Sequence, residues 1–189
     1  KAMLIMHTDP KDPNGQDLGH LIGHLGLDTQ NQVMLSVNKV APPELAAMYN
    51  MADCTINISD AEGFGLTTLE SLSCGTPIIV NMTGGLQEQI NTSQGYAGIP
   101  LWPISKAIIG SQNVPYIYED RLSEKQVVGA LHKMCLHTPE DREAMGLIGR
   151  QHVLNNYNFQ TLQTKWLDIM TKLYEEKGSW GDRKLYSGI

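Results

Sequence analysis

Glu62-Gly63-Phe64-Gly65-Leu66-Thr67-Thr68-Leu69-Glu70, continuing Ser71-Leu72-Ser73-Cys74-Gly75-Thr76-Pro77-Ile78-Ile79-Val80, decides the fold. It places two carboxylates eight residues apart around a glycine-containing turn, and the spacing behind that turn predicts a helix over about Thr67 to Cys74 with Glu70 in its first turn. A helix start offers unpaired N–H groups and the positive end of the helix dipole, so it attracts phosphate, and Gly63 and Gly65 let the backbone approach closely. Helical side chains lean toward the N-terminus, so Glu70 reaches back toward anything bound there. An ionised carboxylate only accepts hydrogen bonds, and a pair of sugar or ribose hydroxyls is its natural partner. One anion-binding turn between two diol-binding acids reads as a site for a nucleotide sugar. Thr67 and Glu70 also fit a capping box, and Glu62 alone looks like a solvated loop acid. The whole string, not either acid, favours the site.

Periodicity around the string predicts an α/β architecture. Ala2 to Met6, Val33 to Val37, Thr55 to Ile58 and Ile78 to Val80 are short apolar or β-branched runs expected for strands buried on both faces. Helices are expected between them at about Leu18 to Leu25, Pro43 to Met51, Thr67 to Cys74 and Leu86 to Asn91. Alternation of this kind predicts a Rossmann-like, doubly wound parallel sheet, in which ligands bind beyond the carboxyl ends of the strands. The Glu62 turn falls there, after the Thr55 to Ile58 strand. Leu66, Leu69 and Leu72 fall three apart and are expected to pack the following helix on the sheet.

From about 91 to 118 the pattern loosens into glycines, prolines and scattered apolar residues such as Trp102, which reads as an irregular insertion. Helices resume over about 123–175. Ser123 with Gln126 looks like a cap, Thr138-Pro139-Glu140-Asp141 reads as a turn that starts a new helix with proline at its first position, and Phe159, Leu162, Trp166, Leu167, Ile169, Met170 and Leu173 form a stripe expected to be core or interdomain packing. At 189 residues and 41% hydrophobic content, one domain over 1–175 is expected, with 176–189 as a C-terminal tail.

The net charge of -6 argues against a nucleic-acid surface. No apolar run approaches the roughly 18 residues of a membrane span, so no transmembrane segment is expected, while peripheral membrane contact stays open. Cys54, Cys74 and Cys135 are scattered and suggest free thiols in a reducing, cytoplasmic setting. His20 and His24 share a helix face without a third ligand at motif spacing, so no metal is expected.

The string from Glu62 to Val80 resembles, without a gap, the E-x7-E signature of retaining glycosyltransferases of the GT-B fold, in particular family 4, whose members read EGFGL, a variable pair, then LEAMACGTPV. The resemblance extends upstream to Glu44–Cys54, with its Ala52-Asp53 dipeptide, and downstream to Thr83-Gly84-Gly85-Leu86-Gln87-Glu88 and Tyr157-Asn158-Phe159. It implies the C-terminal, donor-binding half of a GT-B glycosyltransferase, with the N-terminal acceptor half and the first strand and helix of the donor half absent. In such enzymes a UDP- or GDP-sugar is the donor, and a carbohydrate, lipid or protein accepts the sugar on a hydroxyl through the other half.

By the same resemblance Glu62 is the catalytic candidate, holding hydroxyls of the donor sugar. The amides of Gly63, Phe64, Gly65, Leu66 and Thr67 would meet the diphosphate, and Glu70 the ribose hydroxyls. Thr83, Gly84 and Gly85 would lie near the donor, and Asn38, Lys39 and Val40 near the base. No cofactor or metal is implied beyond the donor substrate, and the chain on its own is expected to bind weakly and not to turn over. The alternatives are a nucleotide-sugar-binding or interaction module without transferase activity, or an epimerase or phosphorylase of the same fold. A dinucleotide-dependent dehydrogenase is set aside because neither glycine cluster follows G-x-G-x-x-G.

Overall fold

A computed structural model describes residues 2–178. The chain divides into two compact units, Lys1–Leu45 and Ala46–Ile189, where one domain is expected from length. The first unit is a β-α-β run: β1 (Leu4–His7), α1 (Leu18–His24) and β2 (Val33–Ser36). Its strands pair in parallel with Leu4 opposite Val33, and the Asp17 carboxylate caps α1 by accepting the His20 amide at 2.9 Å. α2 (Pro42–Met51) follows, and the division between the units falls within it. Prolines open it where the first N–H groups lack partners, and the Glu44 carboxylate accepts the Ala41 amide at 2.9 Å.

The second unit continues with β3 (Thr55–Asn57), α3 (Leu66–Ser73), β4 (Ile78–Asn81) and α4 (Leu86–Ile90). Two short strands, β5 (Asn91–Thr92) and β6 (Gly95–Tyr96), lead into β7 (Gly98–Leu101), and β8 (Ser105–Ile109) pairs with β9 (Ile117–Arg121) as an antiparallel hairpin. Three helices close the described chain: α5 (Glu124–Leu136), α6 (Pro139–Asn156) and α7 (Phe159–Lys177).

The core of this unit is the parallel sheet β3-β4-β7, with Thr55 opposite Ile78 and Ile78 opposite Gly98. Successive residues of a strand face opposite sides, and β4 is buried along its whole length. Ile78 and Val80 join Leu72 of α3, Leu86 and Ile90 of α4, and Ala97 in one apolar cluster. Ile79 joins Ile99, Leu101, Ala130 and Met134, the last two from α5, in another. Helices therefore cover both faces, which is the doubly wound arrangement. Each fully buried aliphatic side chain stabilises the unit by roughly 1.5–3 kcal/mol.

Three expectations change. The stretch 91–118 is not irregular, because β7 within it is a core strand; Gly98 and Pro100 interrupt its apolar run, and the outer position of β7 is where a sheet tolerates a proline. Of the three leucines Leu72 is buried as expected, but Leu66 is 66% exposed, and Thr68 and Ser71 share the buried face of α3 with Leu72. The stripe on α7 is not core: none of its residues is buried, and Phe159 is 77% exposed. Of the expected tail, Glu176 and Lys177 belong to α7 and 179–189 lie outside the described residues. The caps at Ser123 and Thr138 are both reciprocal capping boxes, with Pro139 at the start of α6.

Candidate functional site

The turn between β3 and α3 is held from three sides. From β3, buried Asn57 donates through Nδ2 to Thr68 Oγ1 at 3.2 Å and accepts the Ser59 amide at 3.2 Å. From β4, buried Asn81 donates through Nδ2 to the Ser59 carbonyl at 2.8 Å. From α4, the Gln89 side-chain amide donates to the Phe64 carbonyl. These three amide side chains fix the path of the chain from Ser59 to Thr68.

Backbone meets backbone where the second glycine cluster docks. The Gly85 amide donates to the Gly63 carbonyl at 3.1 Å. A β-carbon on residue 84 would lie 1.7 Å from the Glu62 carbonyl oxygen, and Gly84 sits at φ 49. Only glycine combines that closeness with that conformation. Gly84 and Gly85 are therefore brought directly against Glu62, Gly63 and Phe64.

Gly65 is the N-cap of α3 at φ 87, in the left-handed region, and no side chain caps the helix. Its first-turn N–H groups are thus left without the side-chain acceptor that most helices use. Glu62 is half-buried, and among the described residues its carboxylate has neither a hydrogen-bond nor an ion-pair partner. Phe64 is 53% exposed, with one edge against Tyr157 at a centroid distance of 6.2 Å.

Glu70 differs from expectation. It stands in the second turn of α3, because the helix begins at Leu66, and it takes no part in a capping box with Thr67. Its Oε2 instead accepts the Tyr49 hydroxyl at 2.9 Å. Burial, then the bond to Glu70, raises the Tyr49 phenol well above its ordinary value, so it stays protonated and donating. Sequence spacing could not reveal this pair, since it joins two separate helices.

Two further residues make contacts that sequence spacing does not reveal. The Arg121 guanidinium, at the end of β9, pairs with Asp60 and with Glu119, the latter at 2.7 Å, while the Asp120 amide donates to the Asp60 carbonyl at 2.8 Å. Thr76, in the Cys74–Pro77 segment, donates to the Tyr49 carbonyl at 2.8 Å. Asn38, Lys39 and Val40 lie in the first unit, in the loop after β2. A cavity of about 210 Å³ lined by Asp53, Thr76, Arg142 and Glu143 lies at the other end of α3, beside Cys74 and Gly75, and is separate from the Glu62 turn. No group of three His, Cys, Asp or Glu side chains among the described residues is placed to hold a metal ion.

A parallel sheet covered on both faces, with a glycine-rich turn between two acids beyond the carboxyl end of a strand, is an α/β, Rossmann-like arrangement. Residues 13–100 match the family described as glycosyl transferases group 1. The chain is 39% identical over 83 residues to D-inositol 3-phosphate glycosyltransferase from Paenarthrobacter aurescens, a match covering 44% of this chain and 19% of that protein. Among solved structures it is similar to sucrose-phosphate synthase from Thermosynechococcus elongatus, with TM-score 0.66 and 21% identity over 92% of this chain and 38% of that one. It is equally similar to Anabaena HepE in complex with UDP and glucose, with TM-score 0.66 and 18% identity over 90% of this chain and 41% of that one. At those identities the structural likeness shows the fold alone. The chain spans about a fifth of the length of the glycosyltransferase relative and about two fifths of the structural ones.

Proposed function

We propose that this chain is the donor-binding part of a retaining glycosyltransferase of the family 4 type, which moves a sugar from a UDP- or GDP-sugar to an acceptor hydroxyl. The observation that carries this reading is the backbone-to-backbone docking of Gly84 and Gly85 on Glu62–Phe64 beside an uncapped helix start. The docking leaves an unpaired acid, a row of amides and a second acid within one short stretch of chain.

In this reading the Glu62 carboxylate accepts hydroxyls of the donor sugar. Amides from Gly63 to Thr67, with the dipole of α3, meet the diphosphate as negative charge develops on it during departure, and removing one such stabilising group costs about a hundredfold or more in rate. Glu70 takes the ribose hydroxyls, Thr83 to Gly85 border the donor, and Asn38, Lys39 and Val40 lie toward the base. The donor is a substrate and no further cofactor or metal is assigned. UDP and glucose in the HepE structure support a UDP-sugar. The acceptor, a carbohydrate, lipid or protein hydroxyl, is bound by another part of the protein. Cys54, Cys74 and Cys135 are all free, which fits a reducing cytoplasm, and no helix among the described residues is long and apolar enough to cross a membrane.

The test follows nucleoside-diphosphate release by the full-length protein from UDP- and GDP-sugars, with the anomeric configuration of the product read by NMR. Glu62→Ala is expected to lower turnover by about a hundredfold or more while the product of the wild type keeps the donor's configuration. Unchanged turnover in the variant, or an inverted product, contradicts the assignment. Saturable donor binding without release by the wild type identifies a binding module instead.

A further inference from the structure

We propose that Tyr49 is a positioning residue for nucleotide binding: its hydroxyl fixes one oxygen of the Glu70 carboxylate, so that the other is presented to the ribose diol. The proposal rests on the role given above to Glu70 and adds a residue outside the acid-flanked turn. The Tyr49 hydroxyl is 2.9 Å from Glu70 Oε2, and Oε1 has no partner among the described residues. Glu70 is exposed, and a free glutamate side chain has to be ordered by whatever binds it. A hydrogen bond already made to one oxygen removes much of that cost before the ligand arrives.

Tyr49 is itself held in place. Its carbonyl accepts Thr76 Oγ1 at 2.8 Å, the Thr76 carbonyl accepts Ser71 Oγ at 2.9 Å, and Ser71 Oγ lies 2.6 Å from Thr55 Oγ1. Thr76 and Ser71 are buried, so this chain of bonds ties the end of α2 to β3 and to α3 next to Glu70. The donor is also well chosen chemically. A lysine or arginine in its place would neutralise the carboxylate and compete for it with more than one N–H, whereas a phenol gives a single bond and leaves the charge and one oxygen free. Burial and the neighbouring carboxylate keep the phenol protonated, so the bond persists through the neutral range.

Tyr49→Phe tests this, because it keeps the ring and removes only the hydroxyl. UDP, GDP and ADP, each with its 2′,3′-dideoxy counterpart, are titrated by NMR into the wild-type chain, Tyr49→Phe and Glu70→Ala. For the ribonucleotide that binds best, Tyr49→Phe is expected to weaken affinity about three- to tenfold, and to leave the dideoxy form unchanged. Equal weakening of both forms shows a merely structural role and overturns the proposal. Full ribonucleotide affinity in Tyr49→Phe, with loss in Glu70→Ala, also overturns it while Glu70 keeps its role. If Glu70→Ala binds like the wild type, or the wild type shows no saturable binding, the assignment of Glu70 fails and the proposal fails with it.

Discussion

Glu62 and Gly84 are locked together, since the Glu62 carbonyl occupies space that any side chain at 84 would need. Gly84→Ala is therefore expected to destabilise the protein by about 2–4 kcal/mol, from overlap and a positive φ together. Gly63 is the contrasting case: a β-carbon there meets nothing within 4 Å. Gly63→Ala should change stability by less than about 1 kcal/mol and yet weaken diphosphate binding, if the backbone must approach the ligand closely. Chemical denaturation and nucleotide titration of both variants check the pair, and normal binding by Gly63→Ala would remove that residue from the site. A pH effect belongs to Cys54. Burial first, then the nearby Cys135 and Asp53, pushes its thiol from an ordinary 9.0 to about 11. The folded state thus holds this proton more tightly than the unfolded one. Its contribution to stability is complete below pH 9.0 and is lost as pH rises toward about 11. Alkylation at pH 8 is expected to modify exposed Cys135 well before Cys54, and the alkaline loss of stability should be smaller in Cys54→Ala.

Between elements, the contact of α3 with α6 depends on two small residues. A β-carbon on Gly146 would lie 1.8 Å from the Gly75 carbonyl oxygen, and one on Gly149 would lie 2.5 Å from Leu72 Cδ2. Gly146→Ala is accordingly expected to cost at least about 2 kcal/mol. Gly129→Ala on α5, with nothing within 4 Å, should be neutral or stabilise by up to about 1 kcal/mol. Thermal denaturation of the two variants separates helix propensity from packing. What could be seen from sequence follows the same division. β1 to β4, α1 to α4, the cap of α5 and the proline start of α6 were legible, because apolar runs and end signals act over a few positions of one element. β7 was hidden by Gly98 and Pro100, whose place depends on β4 lying alongside. Leu66 kept helical spacing with Leu69 and Leu72 but sits at the first position of α3 and is exposed. In the site, the two acids and both glycine clusters could be read. Tyr49, Gln89 and Arg121 could not, since each acts across elements that spacing does not connect.

At the scale of the whole molecule, two compact units carry the candidate residues: the second holds the Glu62 turn, Glu70 and Thr83–Gly85, and the first holds Asn38, Lys39 and Val40. The second unit also carries the exposed apolar stripe of α7 and the hairpin β8-β9, which is tied to Asp60 through Arg121. All the proposed chemistry turns on one claim, that the turn from Glu62 to Glu70 receives a nucleoside-diphosphate sugar. Amide chemical-shift mapping of the chain during titration with UDP-glucose tests it most directly, with GDP-mannose run alongside. The account predicts saturable shifts for one donor, concentrated at Gly63 to Thr67 and Gly84 to Gly85 and lost in Glu70→Ala. Saturable shifts centred elsewhere, or none at the turn for either donor in the folded chain, would contradict it.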